Sequence, residues 1–115
     1  MAGPHPPAWP PRRLLMTDCC LHLLCPQAVE ERAVDLLLSL VDAGVFTSAP
    51  AHAHGFAHGR LNAAEQVSGR SEAGLIQLVL PGAQLQRVLD ELQRELRGSG
   101  LRYWVSPLLS RGELA

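Results

Sequence analysis

Three histidines lie within one short segment of this chain. His52, His54 and His58 stand in the run His-Ala-His-Gly-Phe-Ala-His, between two stretches that are predicted to be β-strands. Neutral imidazole is the commonest side-chain ligand for zinc, copper and nickel. A loop that carries three imidazoles can close on one ion without help from the rest of the fold, so this segment is the first candidate for chemistry.

The spacing of the histidines suits a shared ion. On an extended segment His52 and His54 lie on one side of the chain, with Cα atoms roughly 6.6–6.8 Å apart. Gly55 and Gly59 let the chain fold back, so that His58 would complete a site of three nitrogens with Zn–N distances of about 2.0–2.1 Å. The spacing suits zinc, nickel and divalent copper alike. The alternative is a solvated loop whose histidines bind nothing.

A fourth ligand would come from a carboxylate or a thiolate. Glu65 is one candidate, and Cys25 or Cys20 would be a soft ligand. We expect the three cysteines to be small apolar core residues instead. Cys19 and Cys20 are neighbours on a predicted strand, so their side chains point to opposite faces and cannot easily pair. An odd number of cysteines without a pairing pattern favours the reducing cytoplasm.

Length and charge exclude several classes of protein. The chain has 115 residues, a net charge of −1 and 47% hydrophobic residues, which fits one small domain. Ten basic residues are matched by eleven acidic ones, so nucleic acid is not expected as a partner. No apolar run reaches the ~18 residues of a membrane span. No catalytic or phosphate-binding motif is found, and we predict that the chain is not an enzyme.

Residues 1–15 differ from the rest of the chain. Five prolines in the first eleven residues preclude a helix or an inner strand, and we expect a disordered tail. Residues 16–115 then form a single domain. Translation could start at Met1 or at Met16, and the sequence does not decide between them.

The hydrophobic pattern alternates between strand and helix. Val29, Ala33 and Leu37 recur at helical spacing, and so do Leu85, Leu89 and Leu92. Pro50 lies inside the second strand, which must therefore be an edge strand or break there. The predicted elements are a strand over Thr17–Cys25, a helix from Ala28 to Gly44, strands over Val45–Ala53 and Ser71–Leu80, a helix from Pro81 to Gly98 and a strand over Leu101–Leu108.

The order of these elements predicts an α+β fold of the ferredoxin-like, βαββαβ type. Four antiparallel strands would carry two helices on one face and leave the other face bare. Trp104, Tyr103 and the apolar residues of the third strand would then be partly exposed. Because an exposed apolar sheet face marks an interaction surface, we predict that it closes a homotrimer.

These residues resemble those of a PII-like protein, in the group that includes the PII nitrogen regulators and CutA. The resemblance rests on the order of elements, on Cys25-Pro26 before the first helix, and on Ser110-Arg111-Gly112-Glu113 near the end. The long connection 53–69 stands at the place of the PII T-loop. The string Glu65-Gln66-Val67-Ser68-Gly69-Arg70 and the run Leu101–Val105 are similar to a branch of unknown function that is encoded beside heavy-metal efflux pumps.

The resemblance implies a trimer whose clefts between subunits receive small molecules and whose long loop contacts a partner. Together with the histidines it leads to our first hypothesis, a cytoplasmic regulatory protein linked to copper, zinc or nickel homeostasis. Metal bound at His52, His54 and His58 would order the long connection and change what it touches, with a metal-efflux pump component as partner. A second hypothesis is a sensor of adenine nucleotides or small metabolites that uses the clefts between subunits. A third is an oligomeric interaction module without a ligand.

The loop after the second helix departs from the PII pattern. PII proteins carry Gly-Asp-Gly-Lys there, whereas this chain has Arg97-Gly98-Ser99-Gly100-Leu101-Arg102, without the aspartate and the lysine. Backbone N–H groups near the two glycines could still bind an anion, and arginines could supply charge. The candidate cleft residues are Arg70, Gly98, Gly100, Arg102 and Arg111.

Overall fold

Strands and helices alternate along the chain in the predicted order. The computed structural model describes residues 17–40, 44–55, 63–68 and 70–115. Its elements are β1 (Asp18–Pro26), α1 (Gln27–Leu40), β2 (Phe46–His54), α2 (Ala63–Ser68), β3 (Arg70–Pro81), α3 (Gly82–Leu96) and β4 (Arg102–Pro107). The α+β, ferredoxin-like prediction is confirmed, and the short helix α2 lies within the long connection.

The four strands form one antiparallel sheet in the order β2-β3-β1-β4. The two apolar strands β1 and β3 are central, with Leu21 opposite Leu78 of β3 and opposite Val105 of β4. The strand β2 is an edge strand, as the proline predicted. Pro50 does not interrupt it, since the pairing with β3 runs unbroken from Phe46 to His54. An edge strand can hold a proline because one side of its backbone needs no partner.

One face of the sheet is buried beneath α1 and α3. Alternate residues of β1 point to this face, as the strand period requires, and they are fully buried. The core comprises Cys19, Leu21, Leu23, Cys25, Ala33, Leu37, Ile76, Leu78, Leu80, Leu85, Val88, Leu89, Leu92 and Leu96. Cys20, on the other face, is 7% exposed. All three thiols are free and buried, as expected of small apolar core residues.

The other face of the sheet carries an aromatic stack. His22 of β1 lies flat against Trp104 of β4, with ring centroids 5.4 Å apart and planes 8° apart, and the His22 Nε2 is 3.1 Å from the Ser106 Oγ. Trp104 is 47% exposed there, as expected. Tyr103 is also about half exposed, but it pairs with Leu23 and lies on the helix face. Its exposure results from the edge position of β4 and not from an uncovered sheet face.

Several predictions concern residues that the structure does not describe. The described residues do not include the proline-rich tail 1–15 or Met16, the alternative start. They also do not include His58, the third histidine. Within the described part of the chain, no helix combines the length and the hydropathy needed to cross a membrane.

Candidate functional site

Two of the three histidines lie on the exposed edge of the sheet. His52 and His54 are on β2, and both are exposed. Ala53 between them points to the opposite face and is 6% exposed. Because successive strand residues alternate between faces, the two imidazoles lie on one side of the strand, where solvent reaches both.

The strand pairing places a carboxylate against the first of these histidines. Glu72 of β3 is directly opposite His52, and its Oε1 lies 3.4 Å from the His52 Nδ1. A carboxylate beside one ring nitrogen is the arrangement that orients metal-binding histidines and leaves the other nitrogen for the ion. Glu72 was not predicted as a site residue, since only the register between β2 and β3 brings it to His52.

The second carboxylate comes from the connecting helix α2. The Oε2 of Glu65 accepts a hydrogen bond of 2.5 Å from the backbone N–H of Glu72, so Glu65 ties α2 to the start of β3. We call His52, His54, Glu65 and Glu72 the histidine edge. Among the residues that the structure describes, no group of three or more His, Cys, Asp or Glu side chains is placed to hold a metal ion.

Cys25, the other candidate ligand, lies in the core. Its partner on β3 is Gly74, and the carboxylate of Glu30 occupies the space where a side chain at Gly74 would lie. Burial, together with this nearby carboxylate, raises the pKa of the Cys25 thiol to about 11. The protonated thiol is therefore the stable form near neutral pH, whereas metals bind the thiolate.

A glycine-rich turn joins α3 to β4. Gly98 and Gly100 have φ values of +76° and +87°, which glycine adopts without strain. The backbone N–H of Ser99 donates to the Leu96 carbonyl at 3.2 Å, and that of Leu101 donates to the Ser99 Oγ at 3.3 Å. We call Arg97–Leu101 the glycine turn. It borders a groove of about 130 Å³ between α3 and the start of β4.

The candidate arginines are divided between the two ends of the sheet. Arg102 is opposite Leu24, at the end of the sheet that holds the glycine turn, and Arg70 is opposite His54. Arg111 lies at the other end, where its Nε contacts the Asp18 Oδ2 at 2.9 Å. The length of β4, roughly 17 Å for five residue steps, separates the two ends. One chain therefore does not bring Arg111 to the glycine turn.

Solved structures with low sequence identity share this fold. A DUF3240 family protein from Shewanella baltica OS155 is 21% identical, with a TM-score of 0.70, and the match covers 86% of this chain and 98% of that one. The PII-like nitrogen regulatory protein CPII from Thiomonas intermedia K12, bound to ADP, AMP and bicarbonate, is 17% identical, with a TM-score of 0.63 over 84% of this chain and 96% of that one.

A third solved structure has the same fold as the first two. A candidate PII-like signalling protein from Thermus thermophilus is 17% identical, with a TM-score of 0.58, and the match covers 80% of this chain and 88% of that one. No curated protein matches the chain. The model of the family DUF3240, described as a protein of unknown function, matches residues 16–115. The architecture is that of the PII-like proteins, and the chain belongs to the DUF3240 family.

Proposed function

We propose that the chain is a homotrimeric, PII-like regulatory protein that binds a transition-metal ion at the histidine edge. The observation that carries this proposal is the contact between His52 and Glu72 on an exposed strand. A ring oriented by this contact would leave Nε2 for an ion, on the side of the strand that also carries His54. His58, four residues after His54, would be the third nitrogen ligand, and Glu65, which accepts a hydrogen bond from the Glu72 backbone, is the candidate for a fourth.

The donor set favours zinc, nickel or divalent copper. Imidazole nitrogens and a carboxylate suit all three ions. In the proposal Cys25 and Cys20 remain packing residues. Glu72 acts on the ion only through His52, whose ring it orients.

Metal binding would change the surface that the protein shows to a partner. The connection 53–69 begins within the histidine edge and returns to it through Glu65. An ion held by His52, His54 and His58 would close this connection on itself. We propose a component of a metal-efflux system as the partner, on the basis of the resemblance to the branch encoded beside such pumps. No catalytic step is proposed, and the cysteine content favours the cytoplasm.

The trimer is proposed from the uncovered face of the sheet. Trp104 and His22 lie there beside the half-buried Leu24, Leu75 and Val79. A small domain gains stability when such a face is covered by copies of itself, and closed cyclic symmetry is the usual arrangement.

A second function is supported by the relative CPII, whose structure contains ADP and AMP. The glycine turn could offer backbone N–H groups to a phosphate, and Arg97 and Arg102 lie at or beside that turn. Arg70 is at the same end of the sheet, and Arg111 would have to come from a neighbouring subunit. The missing lysine removes the charge that PII proteins place in this turn, so we rank nucleotide binding second.

A thermal-shift assay on protein without an affinity tag separates the two functions. A ligand present at a hundred times its dissociation constant stabilises the folded state by ~2.7 kcal/mol. We expect zinc, nickel or copper to raise the melting temperature by several degrees, and His52→Ala/His54→Ala to abolish the shift. Leu38→Ala, at an exposed position on α1, is the matched control. A shift with ATP, ADP or AMP and none with any metal would contradict the metal proposal and favour the second function.

A further inference from the structure

We propose that His22 makes the oligomer sensitive to pH, because a proton taken up by its imidazole separates the subunits. The inference rests on the proposed trimer, in which other copies of the chain cover the face of the sheet that the helices leave bare. It goes beyond the trimer, since it gives a role to an imidazole that the metal proposal does not use. Imidazole is the side chain that changes its charge between about pH 5 and pH 8.

His22 lies in the middle of the uncovered face. Its strand, β1, is one of the two central strands of the sheet, and His22 is opposite Gln77 of β3 and opposite Trp104 of β4. Two apolar neighbours on β1, Cys20 and Leu24, point to the same face because strand residues two apart share a face. Copies of the chain that cover this face therefore cover the imidazole as well.

In a separate subunit, both charge states of His22 have suitable surroundings. His22 is half-buried, so water still reaches the ring. Its Nε2 lies 3.1 Å from the Ser106 Oγ, and a hydroxyl can accept a hydrogen bond from a protonated ring nitrogen or donate one to a bare nitrogen. The ring also stacks on Trp104, whose aromatic face attracts a cation. The separate subunit therefore accommodates the proton.

The charged groups on this face of the four strands do not neutralise a protonated His22. The alternation of side chains places Asp18, Cys20 and Arg102 there, whereas β2 and β3 contribute no charged side chain to it. Asp18 is roughly 13 Å from His22 along β1, and it is paired with Arg111. Arg102 is nearer but has the same sign as an imidazolium. Burial raises the pKa of the Cys20 thiol, so it is uncharged near neutral pH.

Covering the face makes the proton on His22 costly. In a trimer closed by this face, the neighbouring subunits present the same residues, and water is removed from the ring. A buried charge without a partner is strongly destabilising. The trimer therefore binds fewer protons than three separate subunits, and by linkage a fall in pH shifts the equilibrium towards the separate subunits. The response falls in the range where imidazole side chains titrate.

Sedimentation equilibrium at two pH values tests the proposal. Untagged protein is compared at about pH 7.5 and about pH 5.5, at one ionic strength and with a chelator that removes metal ions. We expect the dissociation constant of the trimer to be at least about tenfold larger at the lower pH. In His22→Gln, which stays neutral and can still bond to Ser106, it should change less than about twofold. His52→Ala/His54→Ala, which removes two exposed imidazoles, should respond like the wild type.

Ser106→Asp is a second variant that changes the sign of the local charge. Its carboxylate would lie beside the His22 Nε2 and pair with the protonated ring, so acid should no longer weaken the trimer. Circular dichroism at both pH values checks that each protein stays folded. A wild type with equal dissociation constants at both pH values, or a His22→Gln protein that responds like the wild type, would overturn the switch and leave the trimer. A wild-type chain that is monomeric at every concentration would contradict both.

Discussion

At the scale of single residues, Glu72 is the carboxylate that the strand pairing places against His52. If the carboxylate orients the imidazole for a metal ion, Glu72→Ala should weaken zinc binding about 10–100-fold, the usual effect of removing such a partner. Titration calorimetry on untagged protein measures this. Glu31→Ala, an exposed carboxylate on α1, should leave the affinity unchanged. Equal affinities for wild type and Glu72→Ala would show that the contact has no role in binding.

Cys25 makes stability depend on pH in the alkaline range. Burial and the Glu30 carboxylate raise its pKa from 9.0 to about 11, so between these values the unfolded chain loses a proton that the folded protein keeps. The contribution of the protonated Cys25 thiol to the free energy of unfolding is complete below pH 9. It is lost as the pH rises towards 11, and the free energy of unfolding falls by about 1 kcal/mol per pH unit in this range. Urea unfolding at several pH values tests this. Cys25→Ala should show a shallower decline, and an unchanged slope would assign the loss to other groups.

At the scale of elements, Arg32 joins the two helices that cover the sheet. Its Nη2 donates a hydrogen bond of 3.0 Å to the Glu95 carbonyl in the last turn of α3, a group that has no partner within its own helix. Arg32→Ala should lower the free energy of unfolding by about 0.5–1.5 kcal/mol. Chemical denaturation measures this loss. Arg87→Ala, on the solvent side of α3, should cost less, and equal losses would contradict the capping role.

The elements follow from the hydrophobic pattern, because burial on one face imposes a period on each helix and strand. The stripe of Leu85, Leu89 and Leu92 predicted α3, and Pro50 predicted the edge position of β2. The site was harder to predict. The contact between His52 and Glu72 depends on the register between β2 and β3. These strands are joined by a long connection, so the sequence does not show which of their residues are opposite each other. Tyr103 was expected on the uncovered face together with Trp104, but adjacent strand residues point to opposite faces, and the pairing with Leu23 puts Tyr103 on the helix face.

At the scale of the whole molecule, the uncovered sheet face should hold the proposed trimer together. Trp104→Glu would place a charge in an apolar contact between subunits, so we expect it to give a folded monomer. Sedimentation velocity gives the mass, and circular dichroism shows whether the fold is kept. Leu38→Glu puts the same charge on α1, where 63% of Leu38 is exposed, and should remain trimeric. A trimeric Trp104→Glu protein would mean that this face is not the interface.

The central claim is that this DUF3240 protein binds a transition-metal ion through the three clustered imidazoles. Calorimetric titration of untagged protein with zinc, nickel and copper tests it directly, with wild type and His52→Ala/His54→Ala/His58→Ala compared at equal concentration. We predict saturable binding of at least one of these ions to the wild type and no measurable binding of that ion to the triple variant. Binding of equal affinity and stoichiometry in both proteins would contradict the claim.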